Sequence, residues 1–475
     1  MSKLGKALSQ GFREECAVFG IWNHPEASRM SYLGLYALQH RGQEAAGIVS
    51  LYNGEQISHK GHGLVADVFN ETTLDSLKGN AAIGHNRYST TGDNEKFNIQ
   101  PLKVNLFNGP VALAHNGNLV NTHNLVHDLQ KSGAIFQGTT DTEIFLHLIA
   151  KNPKPDFVQC LQEELPKVQG AYSLVTMTDK GLYAARDPMG FRPLVLGEIV
   201  VGDRVSKVIS SETCAFDLIG AKYIREIEPG EIYCCTDEGE QSFMLPNIPS
   251  RRHQCVFEHV YFSRPDSIAF GQSVYETRKE LGRQLAQEHP VPHADVVIPV
   301  PDSGVPSALG FAQESGIPFE LGIIRNHYVG RTFIEPKQSI RNFGVKVKLN
   351  PQGVVLKDKV VVVIDDSLVR GTTSQKIIQL VRNFGAKEVH MRIAAPPSVA
   401  PCYYGVDTPN KEQLIAANHS QDEICKFIKA DSLGYVSTEK LLLAAGDPEN
   451  KKYCAACFTS EYPTPVENTG SPLKS

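Results

Sequence analysis

The sequence has no long apolar run: no stretch approaches ~18 consecutive apolar residues, so no membrane-spanning helix is expected. A basic excess is lacking too. The 47 Lys and Arg fall short of the 52 Asp and Glu, and a formal charge of −5 is not the footprint of a nucleic-acid binder. The leading segment MSKLGKALSQGFREE contains no apolar core of the kind a secretory signal needs. No internal repeat is apparent. These absences predict a cytoplasmic protein that engages neither membrane nor nucleic acid.

What is present is ordinary globular composition: 475 residues, 41% hydrophobic and 21% charged, enough for two or three domains. Ten cysteines in a reducing compartment do not predict a disulfide framework. Cys160, Cys214 and Cys425 read as small buried hydrophobes. Only Cys454 and Cys457 form a C-x-x-C pair.

Up to about residue 245 the chain alternates short strands, turns and a few helices. AVFGIW, AAIGHNRYST, GPVALAHNGNLV and GAYSLVTM read as strand and turn segments, LVNTHNLVHDLQKSG and TDTEIFLHLIAKN as helices. This predicts an α+β layered domain. PNIPSRRHQ reads as the inter-domain connection. Beyond it, ADVVIPV, IPFELGIIRN, DKVVVVIDD and KEVHMRIAAPP read as strands, with helices between them. That alternation predicts an α/β domain with a mainly parallel sheet. The tail from about Glu461 is rich in Pro, Thr, Gly and Ser and reads as flexible.

VVVVIDDSLVRGTT is the most informative segment. A buried strand delivers Asp365 and Asp366 to the carboxyl end of the sheet, where open α/β sheets bind ligands. Ser367, Arg370, Gly371, Thr372 and Thr373 then lead into a helix amino terminus suited to a phosphate dianion. The pattern resembles the phosphoribosyl pyrophosphate motif of type I phosphoribosyltransferases. Beside it, the loop 301–304 would offer backbone N–H groups to pyrophosphate and bring Ser303 near a magnesium ion held with Asp365 and Asp366. The basic stretch 325–350 reads as a lid, with Arg331 and Lys348 facing the pyrophosphate. YFSRPDS, residues 261–267, reads as lining the junction of the halves.

In the first half Cys16 is followed, in order, by QHRGQEAAGI, GHNRYSTTG, AHNGNLVN and TTDTE. Together these resemble class II glutamine amidotransferases, N-terminal-nucleophile hydrolases. With the order of the halves, the motifs over residues 16–462 resemble the family of glutamine phosphoribosylpyrophosphate amidotransferases. The resemblance implies a propeptide 1–15, a glutaminase domain 16–245, a phosphoribosyltransferase domain 246–460 and a tail 461–475. Cys16 would then be the nucleophile, with its freed α-amino group moving the proton. Asn116 and Gly117 would form the oxyanion hole, and Arg87 and Asp141 would hold the glutamine. Asn116-Gly117 also reads as a hairpin turn, Arg87 as a surface ion pair and Asp141 as a helix cap. Asn86 stands where a small apolar residue is expected.

From spacing alone, the C-x-x-C pair with other thiolates favours structural zinc, then an iron–sulfur cluster. The resemblance implies instead a [4Fe–4S] cluster on Cys255, Cys402, Cys454 and Cys457, with Cys234-Cys235 a weaker source of the fourth ligand. It further implies a magnesium-dependent transfer of glutamine nitrogen to phosphoribosyl pyrophosphate, a homotetramer, and inhibition by purine nucleotides.

Overall fold

The computed structural model describes residues 16–88, 96–326, 349–408 and 410–466. β1 (Ala17–Trp22) shows how the first half is assembled, because all its residues are buried. Side chains alternate along a strand, so Ala17, Phe19 and Ile21 enter one core while Val18 and Trp22 enter another. A strand buried on both faces belongs at the centre of a layered structure.

The chain continues through α1 (Ala27–Ala37), β2 (Ala45–Tyr52), β3 (Glu55–His62), β4 (Ala81–Arg87), β5 (Leu102–Leu106) and β6 (Gly109–Leu119). Then come α2 (Thr122–Lys131), α3 (Thr142–Lys151), α4 (Phe157–Glu164), β7 (Gly170–Met177) and β8 (Gly181–Arg186). β9 (Val195–Val201), β10 (Arg204–Ser210), β11 (Lys222–Glu226), β12 (Glu231–Thr236) and β13 (Gly239–Met244) complete this half. They form a seven-stranded sheet, β11-β9-β10-β1-β4-β2-β3, and a six-stranded sheet, β13-β12-β8-β7-β6-β5. Val18, Ile83, Ala112 and Val175 belong to the core between the sheets. Helix α1 covers the first sheet, and α2 to α4 cover the second. This is the expected α+β sandwich.

The second half contains α5 (Val274–Glu288), β14 (Val296–Pro299), α6 (Val305–Ser315), β15 (Val360–Asp365), α7 (Thr372–Asn383), β16 (Glu388–Ile393) and β17 (Ser432–Tyr435). Its sheet runs β14-β15-β16-β17, every pair parallel. The segment IPFELGIIRN does not form the single core strand expected of it. Phe319 makes one bridge to Val297, and Ile323–Arg325 pairs antiparallel with Leu349–Pro351 instead. Pro318 has no N–H for a ladder, and Leu321 is exposed, so the run cannot be held between two strands. The tail is anchored at its start: Tyr462 Oη donates to the Pro401 carbonyl at 2.7 Å. Among the described residues, no helix is long and apolar enough to cross a membrane.

The halves are joined by buried charge. Arg41 Nη1 donates to Glu212 at 2.7 Å, and its guanidinium grips both Glu258 oxygens at 2.8 and 2.9 Å. All three side chains are fully buried. Such a cluster is tolerable only when its remaining hydrogen-bonding positions are filled. Here Ser263 donates to Glu258, and Ser267 and the Arg264 N–H donate to Glu212. Burial pulls the Glu212 carboxyl upward, but His40 and Arg41 outweigh it and hold the pKa down at about 2. That value lies below the unfolded carboxyl value of about 4.3, so the stabilisation is complete above that pH and is lost as pH falls. Acid unfolding followed by circular dichroism should show a fall in stability between about pH 4 and 2. Glu212→Gln should flatten that fall; an unchanged profile would place the acid-sensitive group elsewhere.

Candidate active sites and the cysteine pocket

Cys16 stands directly before β1, held at both ends. Arg41 Nε donates to its carbonyl at 3.2 Å, and Sγ lies 3.3 Å from the Tyr88 carbonyl. Antiparallel pairing sets Ala17 opposite Asn86, so β4 ends with Arg87 at the same edge. Arg87 is buried and donates to the Asn98 carbonyl, which excludes the surface ion-pair reading. Asn98 Oδ1 in turn accepts from the Thr139 and Thr140 N–H groups at 2.8 and 3.2 Å. This fixes the turn that carries Asp141. The Asp141 side chain does not cap α3; it accepts from the Leu119 N–H at 3.0 Å, at the end of β6. Asn86 fits its buried position by donating to the Leu35 carbonyl at 2.7 Å, leaving Arg87 untouched.

Asn116 and Gly117 lie within β6, opposite Ser173 and Tyr172, and not in a hairpin turn. Gly117 has φ 148°, and a Cβ there would sit 2.1 Å from the Ala171 carbonyl oxygen. Only glycine suits that backbone. The Asn116 Nδ2 amide is buried without a hydrogen-bond partner. Leaving such a donor unpaired costs about 1–3 kcal/mol, a cost that a bound oxygen would remove. Cys16, Arg87, Asn116, Gly117 and Asp141 are thus connected through adjoining strand ends.

In the second half β15 ends at Asp365 and Asp366 follows it directly, both buried. Burial first, and the charge of Asp366 second, push the Asp365 carboxyl well above its ordinary range. Ser303 donates to Asp366 at 2.5 Å and Ser367 to the same carboxylate at 2.8 Å. The loops after β14 and β15 therefore meet at these acids, at the carboxyl end of the sheet. Gly371 has φ 72° and turns the chain into α7, which begins with Thr372 and Thr373. Arg370 donates to Gln413 at 2.6 Å. Within 301–304, the Gly304 N–H is taken by the Val300 carbonyl at 3.0 Å, so it is not available to a phosphate. Arg331 and Lys348 lie outside the described residues.

Cys255, Cys402, Cys454 and Cys457 line one small pocket with Phe191 and Phe257. Cys255 and Cys454 face each other in a short parallel pairing of Gln254–Cys255 with Tyr453–Cys454. Burial pushes the Cys454 thiol up to about 12. Burial also raises Cys457, as do the other three cysteines around it. Four sulfurs converging in an apolar pocket are a donor set that suits a thiophilic metal centre, whose binding would displace the thiol protons. Cys234 and Cys235 belong to the sandwich cores through β12, so they supply no ligand to this pocket. Cys160 and Cys214 are buried as expected.

Sequence reasoning quoted QHRG and YFSRPDS but gave Arg41 no role and overlooked Glu258 and Glu212. It also missed the loop after Cys402. Tyr403 accepts from Asn118 at 3.0 Å, Tyr404 accepts from Arg192 at 2.9 Å, and Gly405 packs against Gly117. No local pattern signals these contacts, because each joins residues more than two hundred positions apart.

A two-sheet sandwich with Cys16 leading its central strand, followed by a parallel-sheet domain with a strand–acid pair–loop–helix, is the architecture of a class II glutamine amidotransferase joined to a phosphoribosyltransferase. Family models agree: residues 85–217 match a glutamine amidotransferase domain and 273–399 a phosphoribosyl transferase domain. The chain is 53% identical over 456 residues to the chloroplastic amidophosphoribosyltransferase of Glycine max, covering 96% of this chain and 79% of that one. It is 48% identical to the Bacillus subtilis amidophosphoribosyltransferase, covering 96% of each. The solved structure of the B. subtilis glutamine phosphoribosylpyrophosphate amidotransferase complexed with ADP and GMP superposes with a TM-score of 0.89 at 47% identity. That match covers 96% of this chain and 98% of the other. The chain belongs to the amidophosphoribosyltransferase family.

Replacing Asn116 by Ala removes the unpaired donor without disturbing a bond. Glutamine-dependent kcat should fall about 10²–10³-fold, and ammonia-dependent turnover should survive. Equal loss of both, measured side by side, would remove Asn116 from the oxyanion hole.

Proposed function

We propose that the protein converts glutamine, phosphoribosyl pyrophosphate and water into 5-phosphoribosylamine, glutamate and pyrophosphate, the first step of purine nucleotide synthesis. The single observation that carries this reading is the joint between the sites: Arg41 holds the carbonyl of Cys16 and both oxygens of Glu258.

Removal of residues 1–15 frees the Cys16 α-amino group, which accepts the thiol proton. The thiolate attacks the carboxamide carbon while Asn116 and Gly117 stabilise the oxyanion. Arg87 holds the substrate carboxylate and Asp141 its ammonium group. Collapse breaks the C–N bond, the shuttled proton leaves with ammonia, and a γ-glutamyl thioester remains. Water hydrolyses the thioester to glutamate. Ammonia passes through the domain junction to C1 of the ribose as the bond to pyrophosphate breaks. Asp365 and Asp366 hold the ribose hydroxyls, and Ser367, Arg370, Gly371, Thr372 and Thr373 receive the 5-phosphate. Ammonia must travel dry, since free in neutral water it would be mostly protonated.

Asp365, Asp366 and Ser303 offer the hard oxygen donors that suit magnesium, which neutralises pyrophosphate charge when bound. Arg331 and Lys348 complete that neutralisation. Cys255, Cys402, Cys454 and Cys457 would hold a [4Fe–4S] cluster that cross-links three separate chain segments. The ADP and GMP named for the B. subtilis structure support purine-nucleotide inhibition here; the homotetramer rests on the family resemblance alone.

Leader-processed, anaerobic protein should release glutamate and pyrophosphate in matched amounts, with glutamate release dependent on phosphoribosyl pyrophosphate. Cys16→Ala should abolish the glutamine reaction and keep the ammonia reaction. Glutamate without pyrophosphate would mean a different acceptor. Metal analysis of the same sample should give roughly four irons per chain. Stoichiometric zinc without iron would reverse the assignment of the pocket.

A further inference from the structure

The amino-terminal edge of the parallel sheet, opposite the end that carries Asp365 and Asp366, holds a cluster that neither active site uses. His293 precedes β14, and Glu388 and His390 open β16. Their ligand atoms all lie within 4.8 Å of one another. His293 Nε2 is 3.3 Å from Glu388 Oε2, and His390 Nε2 is 3.1 Å from the same oxygen. The two imidazole rings stand perpendicular, their centroids 5.3 Å apart.

We propose that His293, Glu388 and His390 form a site for a divalent transition metal. Two imidazoles and one carboxylate suit zinc, nickel or cobalt and suit calcium or magnesium poorly. Half-exposed His293 and Glu388 leave an open side where water completes the coordination. His390 is nearly buried and supplies the fixed ligand. Its Nδ1 lies 2.8 Å from Ser432 Oγ, the kind of outer partner that orients a metal-binding imidazole. Without metal, a neutral His390 with its single proton on Nε2 would donate to Glu388. Metal binding at Nε2 requires the other tautomer, with that one proton on Nδ1 donating to Ser432 Oγ. That oxygen already accepts from Arg392 Nη1 at 3.0 Å and has a second lone pair for this bond. The nearest guanidinium is thereby committed to Ser432, to the Met391 carbonyl and to the His289 carbonyl. A metal here ties the turn before β14 to β16 across the start of β15. The role is structural: it braces the sheet at the end away from the chemistry.

The test is calorimetric titration of Ni²⁺ into the full-length, cluster-loaded protein, with thermal unfolding as a second readout. The intact protein should show one histidine-dependent ion per chain and a higher melting temperature with Ni²⁺. His293→Asn, an exposed change that threatens no core, and His390→Asn should each weaken that binding at least tenfold and remove the thermal shift. Ser432→Ala should weaken it about tenfold by freeing the ring. Isotherms unchanged in His293→Asn and His390→Asn would place the ion elsewhere, and no binding to the intact protein would end the proposal. None of these outcomes depends on glutamine or phosphoribosyl chemistry.

Discussion

Arg41 is the residue on which the two halves turn. Its guanidinium touches the Cys16 carbonyl, Glu212 of the sandwich and Glu258 of the second half, all without solvent. A bidentate pair with Glu258 fixes orientation as well as distance, which a lysine could not do. Burying this charge gains little net stability over a well-packed apolar joint. What it provides is register: the backbone of Cys16 is referenced to the phosphoribosyl half. The short helical turn Glu258–Phe262 then runs to Ser263, whose carbonyl accepts from the buried Arg278 of α5 at 2.7 Å. The field of Asp366 reaches Arg278 and partly offsets the burial that lowers it to about 10. A continuous path of charge and hydrogen bonds therefore runs from Cys16 toward the acids of the second site.

The legible part of the molecule was the part written locally. AVFGIW and VVVVID declare buried strands by composition, and the acid pair followed by Gly371, Thr372 and Thr373 declares a loop entering a helix. IPFELGIIRN misled because its apolar content resembles a core strand, while Pro318 and the exposed Leu321 decide otherwise in three dimensions. Asn116-Gly117 reads as a turn by propensity. Pairing with β7 overrides that preference and turns a flexible dipeptide into a rigid strand position. The contacts of Arg41, Glu258 and the Tyr403-Tyr404 loop were not legible, since ion pairs between distant residues leave no periodicity behind.

The same contrast explains the cysteines. Cys160 and Cys214 sit in cores like alanines, and burial raises both thiols, which makes them inert. Cys255 is buried as well and Cys454 partly so, but the two are set opposite each other by a two-residue parallel pairing. Burial alone does not separate the two kinds. Convergence does, and convergence is a property of the fold: it takes the end of the chain folding back onto its middle to assemble the pocket. The loop from Cys402 to Gly405 then packs against Gly117, so the pocket supports β6 as well as its own half.

The two candidate sites depart from good packing in opposite ways, and each departure suits the chemistry proposed for it. In the sandwich one such departure is a buried donor, Asn116 Nδ2, which has no hydrogen-bond partner. In the second half it is a pair of buried acids whose mutual repulsion and burial disfavour charge on Asp365. On the proposed mechanism the unpaired donor meets negative charge developing on a carbonyl oxygen, and the paired acids meet a cation and sugar hydroxyls. Both costs are stable features only because the surrounding strands are over-determined, with β6 locked by β7 and β15 by neighbours on each side. Relieving either strain by substitution would therefore firm the fold locally while removing the function it was held for.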